Sequence, residues 1–183
     1  MPPDVIADGR RRKGATRRRE LLEATLRLVA RDGVGGVSQR RVADEAGVPA
    51  SAVLYYFASV DELLVSTLAG VNDRYIAGLE AEPSLAGLAT TIASSDRAEL
   101  IAEYDLFLLA ARRDDLRGEV DRWDAALRAV ADRLAPERPE VLVAAVNGLW
   151  LQAAVSGVGE DEVMRVLTGA AGAGGWRQGE SNP

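Results

Sequence analysis

Between Val37 and Phe57 the chain reads Val-Ser-Gln-Arg-Arg-Val-Ala-Asp-Glu-Ala-Gly-Val-Pro-Ala-Ser-Ala-Val-Leu-Tyr-Tyr-Phe, and few backbones satisfy that order. Ser38 is placed to cap a short helix, because its hydroxyl can accept from an N–H of the first turn that has no partner within the helix. The inner side of that helix is Val42, Ala43 and Ala46. Gly47 supplies the left-handed residue that closes it. Pro49 then suits the first turn of a second short helix, where its missing N–H costs nothing. This second helix buries Val53, Phe57 and part of Tyr56, leaving Ala50, Ser51, Leu54 and Tyr55 on its outer side. Two short helices joined by a tight glycine turn form a helix-turn-helix.

The flanking sequence extends the helical pattern. Leu22, Thr25, Leu26 and Val29 recur at i, i+3, i+4 and i+7, so a helix is expected from Thr16 until Gly33, Gly35 and Gly36 end it. Residues 1–15 hold Pro2, Pro3, Gly9 and Gly14 with the run Arg10-Arg11-Arg12-Lys13, and are expected to form a flexible basic arm. Ser59-Val60-Asp61-Glu62 is a capping box that opens a long helix towards Leu79. Further helices are expected around 85–94, 96–111, 116–134, 140–157 and 161–171, with a disordered tail over 173–183. No segment alternates with period two. The expected fold is all-α: a three-helix unit over 16–58 followed by a larger helical domain over 59–172.

Composition narrows the chemistry. The chain has neither cysteine nor histidine, which removes disulfides, thiol nucleophiles, imidazole bases and the usual zinc sites. No cofactor and no metal are expected. The apolar stretch 141–155 contains Asn147 and Gln152 and is too short for a bilayer core of about 30 Å. No apolar segment follows the basic residues near Met1, so a secretory signal is not expected and a cytoplasmic location is. The net charge of −6 divides unevenly: residues 1–57 carry 11 basic and 7 acidic side chains, giving +4, and residues 58–183 carry 11 and 21, giving −10. A basic end on an acidic body suits a protein that meets phosphates with one end only.

The frame 16–64 resembles the N-terminal domain of the TetR family of bacterial transcriptional regulators. The resemblance rests on Ser38-Gln39-Arg40, Ala46-Gly47-Val48, Tyr55-Tyr56-Phe57 and Ser59-Val60-Asp61-Glu62-Leu63-Leu64. It implies a ligand-responsive DNA-binding regulator, a repressor released from a palindromic operator by a small molecule. Ser38, Gln39, Arg40, Ala50, Ser51, Tyr55 and Tyr56 are then the expected DNA contacts. Ser38 and the N–H groups after it would hold a phosphate, and Arg40 would reach a base edge or a phosphate. Ala50, Ser51 and Tyr55 would lie against bases, and Tyr56 against the backbone. Leu54 and Val60 stand where many members of the family carry a phosphate-binding tyrosine and lysine. Arg41 reads as a solvated partner of Asp44 or Glu45.

The C-terminal part carries the remaining expectations. In 141–155 apolar residues surround the whole helix, so one side needs a cover. A second copy of the chain is the economical one, with Val141, Ala145, Leu149 and Gln152 meeting Val163 and Val166 in a four-helix interface, as in the family's dimers. Tyr75, Glu103, Tyr104, Phe107, Trp123, Asn147 and Trp150 place a few polar groups on greasy faces, the composition of a small-molecule pocket. The expected partners are double-stranded operator DNA, a small-molecule effector and a second copy of the chain, with no membrane. The chain is not expected to be an enzyme. The alternatives are a helical small-molecule-binding protein without operator binding, or a carboxylate-based helical enzyme using Glu99, Glu103 and Asp105.

Overall fold

The computed structural model describes residues 3–172, and the expected tail at 173–183 lies outside the described residues. Among the described residues there are nine α-helices and no strand. They are α1 (Pro3–Asp32), α2 (Gln39–Ala46), α3 (Ala50–Tyr56), α4 (Val60–Ala81), α5 (Leu85–Ser94), α6 (Arg97–Ala111), α7 (Arg117–Leu134), α8 (Pro139–Val155) and α9 (Glu160–Ala170). By packing, the chain divides into two compact units. One is Met1–Asp73 with Ile101–Val120, and the other is Arg74–Leu100 with Asp121–Pro183. The division falls inside α4 and not at residue 58, because α4 continues without a break through Ala81.

In the first unit, α1 begins at Pro3 and not at Thr16, so residues 3–15 are helical and the expected flexible arm is corrected. Pro3 occupies the first helical position, which tolerates proline, and Ala7 and the Arg10–Lys13 run are good helix formers. Gly9 and Gly14 each cost only about 1 kcal/mol relative to alanine, less than a helix break requires. The inner side of α1 is Leu21, Ala24, Thr25, Leu28 and Val29, all buried. Thr25 hides its hydroxyl by donating to the Leu21 carbonyl at 2.8 Å.

The caps form where the sequence places them. Ser38 accepts from the Arg41 N–H at 3.3 Å, and Gly47 closes α2 with φ 64°. Ser59 accepts from the Glu62 N–H at 3.0 Å, while the Glu62 carboxylate accepts from Ala58, one residue before the cap, at 2.8 Å. Phe57 ends α3 and is fully buried with Val53, Val42, Leu63 and Leu64. The Arg18 guanidinium stands 5.0 Å from the centre of the Phe57 ring and donates to Ser66 at 2.9 Å.

The second unit is held by mutual packing of α5, α8 and α9. Leu88, Ala89 and Ile92 meet the buried side of α8, which includes Leu142, Val146 and Leu149, and that of α9, Val163 and Leu167. Arg97 donates to the Ala154 and Val155 carbonyls at 3.0 and 2.9 Å, satisfying the C-terminal end of α8. Ser84 caps α5 by accepting from Gly87 at 2.9 Å. No single helix among the described residues is long and apolar enough to cross a membrane.

Because Phe57 joins α3 to the rest of its unit, Phe57→Ala should destabilise the protein by about 3–5 kcal/mol. Urea unfolding followed by far-ultraviolet circular dichroism measures this, and a loss below 1 kcal/mol would show that the ring is not the joint.

Candidate nucleic-acid interface and effector site

The outer side of α3 is a small exposed face. Ala50, Ser51, Leu54 and Tyr55 all lie open, with Leu54 56% and Tyr55 82% exposed. The Tyr55 ring meets Tyr56 edge to face at 5.0 Å. Apart from that ring contact, Leu54 and Tyr55 are left open on a seven-residue helix, so this face is available to something outside the chain.

The other expected contacts divide. Arg40 is exposed and makes no hydrogen bond or ion pair among the described residues. Gln39 uses its side-chain amide to donate to the Phe57 carbonyl at 3.0 Å, tying α2 to the end of α3, so only its backbone N–H remains at the expected phosphate site. Ser38 is engaged as the cap. Arg41 does not pair with Asp44 or Glu45: it donates to the Gly36 carbonyl at 2.5 Å and pairs with Asp32. The reason is steric as well as ionic, since a Cβ on Gly36 would stand 2.6 Å from Asp32 Cβ, and glycine lets that corner close.

Charges behind the face are locked together. Glu45 accepts from Arg27 at 2.9 Å and Arg31 at 3.1 Å, and Arg31 also bonds Asp32 at 3.1 Å. Hydrogen bonds from Arg27 and then Arg31 hold the Glu45 carboxyl below its ordinary range. At Asp32 desolvation pushes upward, but the bonds from Arg31 and Arg41 outweigh it and the carboxyl is lowered too. These pairs brace α1 against α2.

The expected pocket residues fall into both packing units. Tyr75 of α4, Trp123 of α7 and Trp150 of α8 come together in the second unit as a three-ring cluster. Their centroids are 5.9 Å apart for Tyr75–Trp123, 5.2 Å for Tyr75–Trp150 and 5.3 Å for Trp123–Trp150, all edge to face. The Trp150 indole N–H is buried without a hydrogen-bond acceptor among the described residues. Beside the cluster lies a small cleft lined by Tyr75, Leu79, Glu82, Leu88, Thr91 and Trp150. Glu82, Leu88 and Thr91 did not stand out in the sequence, because a carboxylate after a helix end and a threonine in an apolar helix are common.

Glu103, Tyr104 and Phe107 belong to the first unit. Glu103 is buried, and burial together with its charge pushes the Tyr104 phenol up to about 12. Glu99 is exposed and pairs with Arg74 at 3.7 Å, so Glu99 and Glu103 differ sharply in environment. Among the described residues no three His, Cys, Asp or Glu side chains gather as a metal site would require. Asn147 lies on the exposed side of α8.

The expected dimer residues also divide. Val141 and Val166 are exposed, and Ala145 is half-buried. Leu149 is 3% exposed and Val163 fully buried within their own chain, so both are corrected from interface to interior. Gln152 is half-buried and donates to Glu162 at 3.1 Å. The side of α8 left open is Val141, Ala144, Gly148, Leu151 and Val155, and on α9 it includes Met164 and Val166.

Family comparison agrees with this geometry along most of the chain. The model for bacterial regulatory proteins of the tetR family matches residues 21–67, and that for the tetracyclin repressor-like C-terminal domain matches residues 80–173. The chain belongs to the TetR family. It is a ligand-responsive DNA-binding transcriptional regulator. A TetR-family member from Streptomyces coelicolor A3 is 32% identical with a TM-score of 0.73, over 84% of this chain and 97% of that one. The multidrug binding protein EbrR, complexed with ethidium, is also 32% identical with a TM-score of 0.66, over 84% of this chain and 98% of that one. The HTH-type transcriptional regulator PksA of Bacillus subtilis (strain 168) is 38% identical over 58 residues, 32% of this chain and 28% of PksA. Within the TetR frame, the short helices and the α3 face fall in the N-terminal match, and the Trp123 and Trp150 rings fall in the C-terminal one.

An absorbance titration of the four tyrosines should show one that ionises late, near pH 12, and Tyr104→Phe should remove that step. The raised phenol favours the protonated folded form, so its contribution to stability is complete below pH 10.0 and is lost as the pH climbs towards about 12. If Tyr104→Phe instead removed a step near pH 10, that would contradict the burial of Tyr104 beside Glu103.

Proposed function

We propose that this TetR-family chain is a cytoplasmic homodimeric repressor that leaves a palindromic operator when an aromatic cation binds beside Tyr75, Trp123 and Trp150. The three-ring cluster is the observation that carries the proposal. Ring faces attract cations, most strongly for tryptophan, and by about 2 kcal/mol or more where water is excluded. Glu82 lines the adjoining cleft and adds a carboxylate to a wall that is otherwise largely apolar. EbrR is described in complexes with ethidium, malachite green and proflavin, each an aromatic cation, and with imidazole. The likeness to EbrR supports that ligand class for this chain.

On the DNA side, the outer face of α3 enters the major groove, where Ala50, Ser51 and Tyr55 meet base edges and thymine methyls. Arg40 contacts a base edge or phosphate, the N–H groups at the start of α2 hold a phosphate, and Tyr56 lies on the backbone. A dimer presents two such helices about 34–36 Å apart, one helical turn of DNA. The open sides of α8 and α9 supply its interface: Val141, Leu151, Val155, Met164 and Val166 are apolar, and Ala144 and Gly148 allow close approach. Release follows if the cation binds better to a conformation that does not fit DNA, since a ligand shifts an equilibrium only by its difference in affinity for the two states. No catalytic step is assigned, because every part of the reading is a binding event.

Ethidium should raise the unfolding midpoint of the wild-type protein and lower its affinity for operator DNA, with both effects lost in Trp150→Ala while operator binding persists. A variant that still responds fully to ethidium would move the effector site elsewhere. Leu151→Arg should give a monomer in sedimentation and a large loss of operator affinity, whereas an unchanged dimer would exclude the α8 face as the interface.

A further inference from the structure

The helical start of α1 arranges its charges in a way that a flexible arm could not. Arg12, Thr16 and Glu20 recur at i, i+4 and i+8, and Lys13 and Arg17 at i and i+4, so the five share one side of the helix. That side forms one wall of an open groove of about 840 Å³, and Tyr55 and Tyr56 form the other. Arg18 and Arg19 are adjacent in sequence but employed differently. Arg18 stacks on Phe57 and bonds Ser66, and Arg19 pairs with Glu23 at 3.5 Å.

The wall carries three cations and one carboxylate, and Glu20 is held by Arg17 at 2.7 Å, so the groove is net positive. Lys13 is exposed and makes no hydrogen bond or ion pair among the described residues. Tyr55 belongs both to this groove and to the exposed face of α3. A polyanion lying on α3 would therefore run on into the groove.

We propose that this groove grips the sugar-phosphate backbone of operator DNA just outside the base pairs met by α3. Lys13 and Arg12 face phosphates, Arg17 contributes a charge shared with Glu20, and the Tyr55 and Tyr56 rings and hydroxyls lie along the same strand. Lys13 and Arg17 are roughly 6 Å apart along the helix axis, taking about 1.5 Å per residue. One strand rises roughly 3.4 Å per nucleotide, so the two cations suit phosphates one or two nucleotides apart. The contact is sequence-independent, because phosphates carry no base identity. It would provide anchoring charge that Leu54 and Val60 do not. The inference rests on the operator-binding reading above.

The test uses the full-length protein and a duplex recovered by selection from a random pool, with and without native-length flanks, over a series of salt concentrations. Arg12→Ala/Lys13→Ala should flatten the dependence of log K on log salt by about 0.9 for each phosphate contact removed. Arg19→Ala, which also removes one charge from α1, should leave the slope unchanged. Discrimination between the selected duplex and a scrambled one should be the same in all three proteins. Trimming the flanks should weaken the wild type and not the double variant, and circular dichroism checks that all remain folded. A double variant with the slope of Arg19→Ala overturns the groove assignment while leaving operator binding intact. Failure of the wild type to select any duplex overturns both.

Discussion

The burial of Phe57 is the constraint on which the presentation of α3 depends. A helix of seven residues has too few internal hydrogen bonds to persist alone in water, because nucleation is costly and only a few bonds follow. α3 exists because Val53 and Phe57 anchor one side of it in a core that also contains Val42, Leu63 and Leu64. Arg18 over the ring and Gln39 on the Phe57 carbonyl hold the same point from α1 and α2. With its inner side fixed, the helix can leave Leu54 and Tyr55 in solvent. The exposed face and the buried ring are two sides of one arrangement.

The ion pairs among Arg27, Arg31, Asp32, Arg41 and Glu45 have a similar division of labour. They lie at the surface, where an isolated pair contributes only about 0–1 kcal/mol, so their value is orientation more than stability. They occupy three of the basic side chains, Arg27, Arg31 and Arg41, that could otherwise be counted towards DNA. A charge tally of residues 1–57 thus counts cations that are already paired within the chain, whereas Arg40 on α2 and Lys13 on α1 make no ion pair among the described residues.

Local chemistry was the most legible part of the sequence. Ser38, Gly47 and Ser59 act through bonds to residues at most four positions away, so their caps can be read without knowing the fold. The start of α1 was less legible, since Gly9 and Gly14 look like punctuation although a helix already propagating can absorb them. Leu149 shows a different limit. A helix that is apolar all round gives no periodic signal to separate the side packed on its own chain from the side left open. Glu103, Tyr104 and Phe107 share greasy surroundings with Trp123 and Trp150 in composition, but composition carries no information about which packing unit a helix joins.

The three rings of Tyr75, Trp123 and Trp150 already keep one another company. Each edge-to-face contact is worth about 0.5–1.5 kcal/mol beyond the area it covers. A flat guest that slides between two of them replaces a ring–ring contact with two ring–guest contacts, and the outline of the guest matters less than its flatness and charge. Such a wall is tolerant. If aromatic cations are the effectors, as proposed, it would rank them only weakly among themselves, and the regulator would answer to a chemical class and not to a single metabolite.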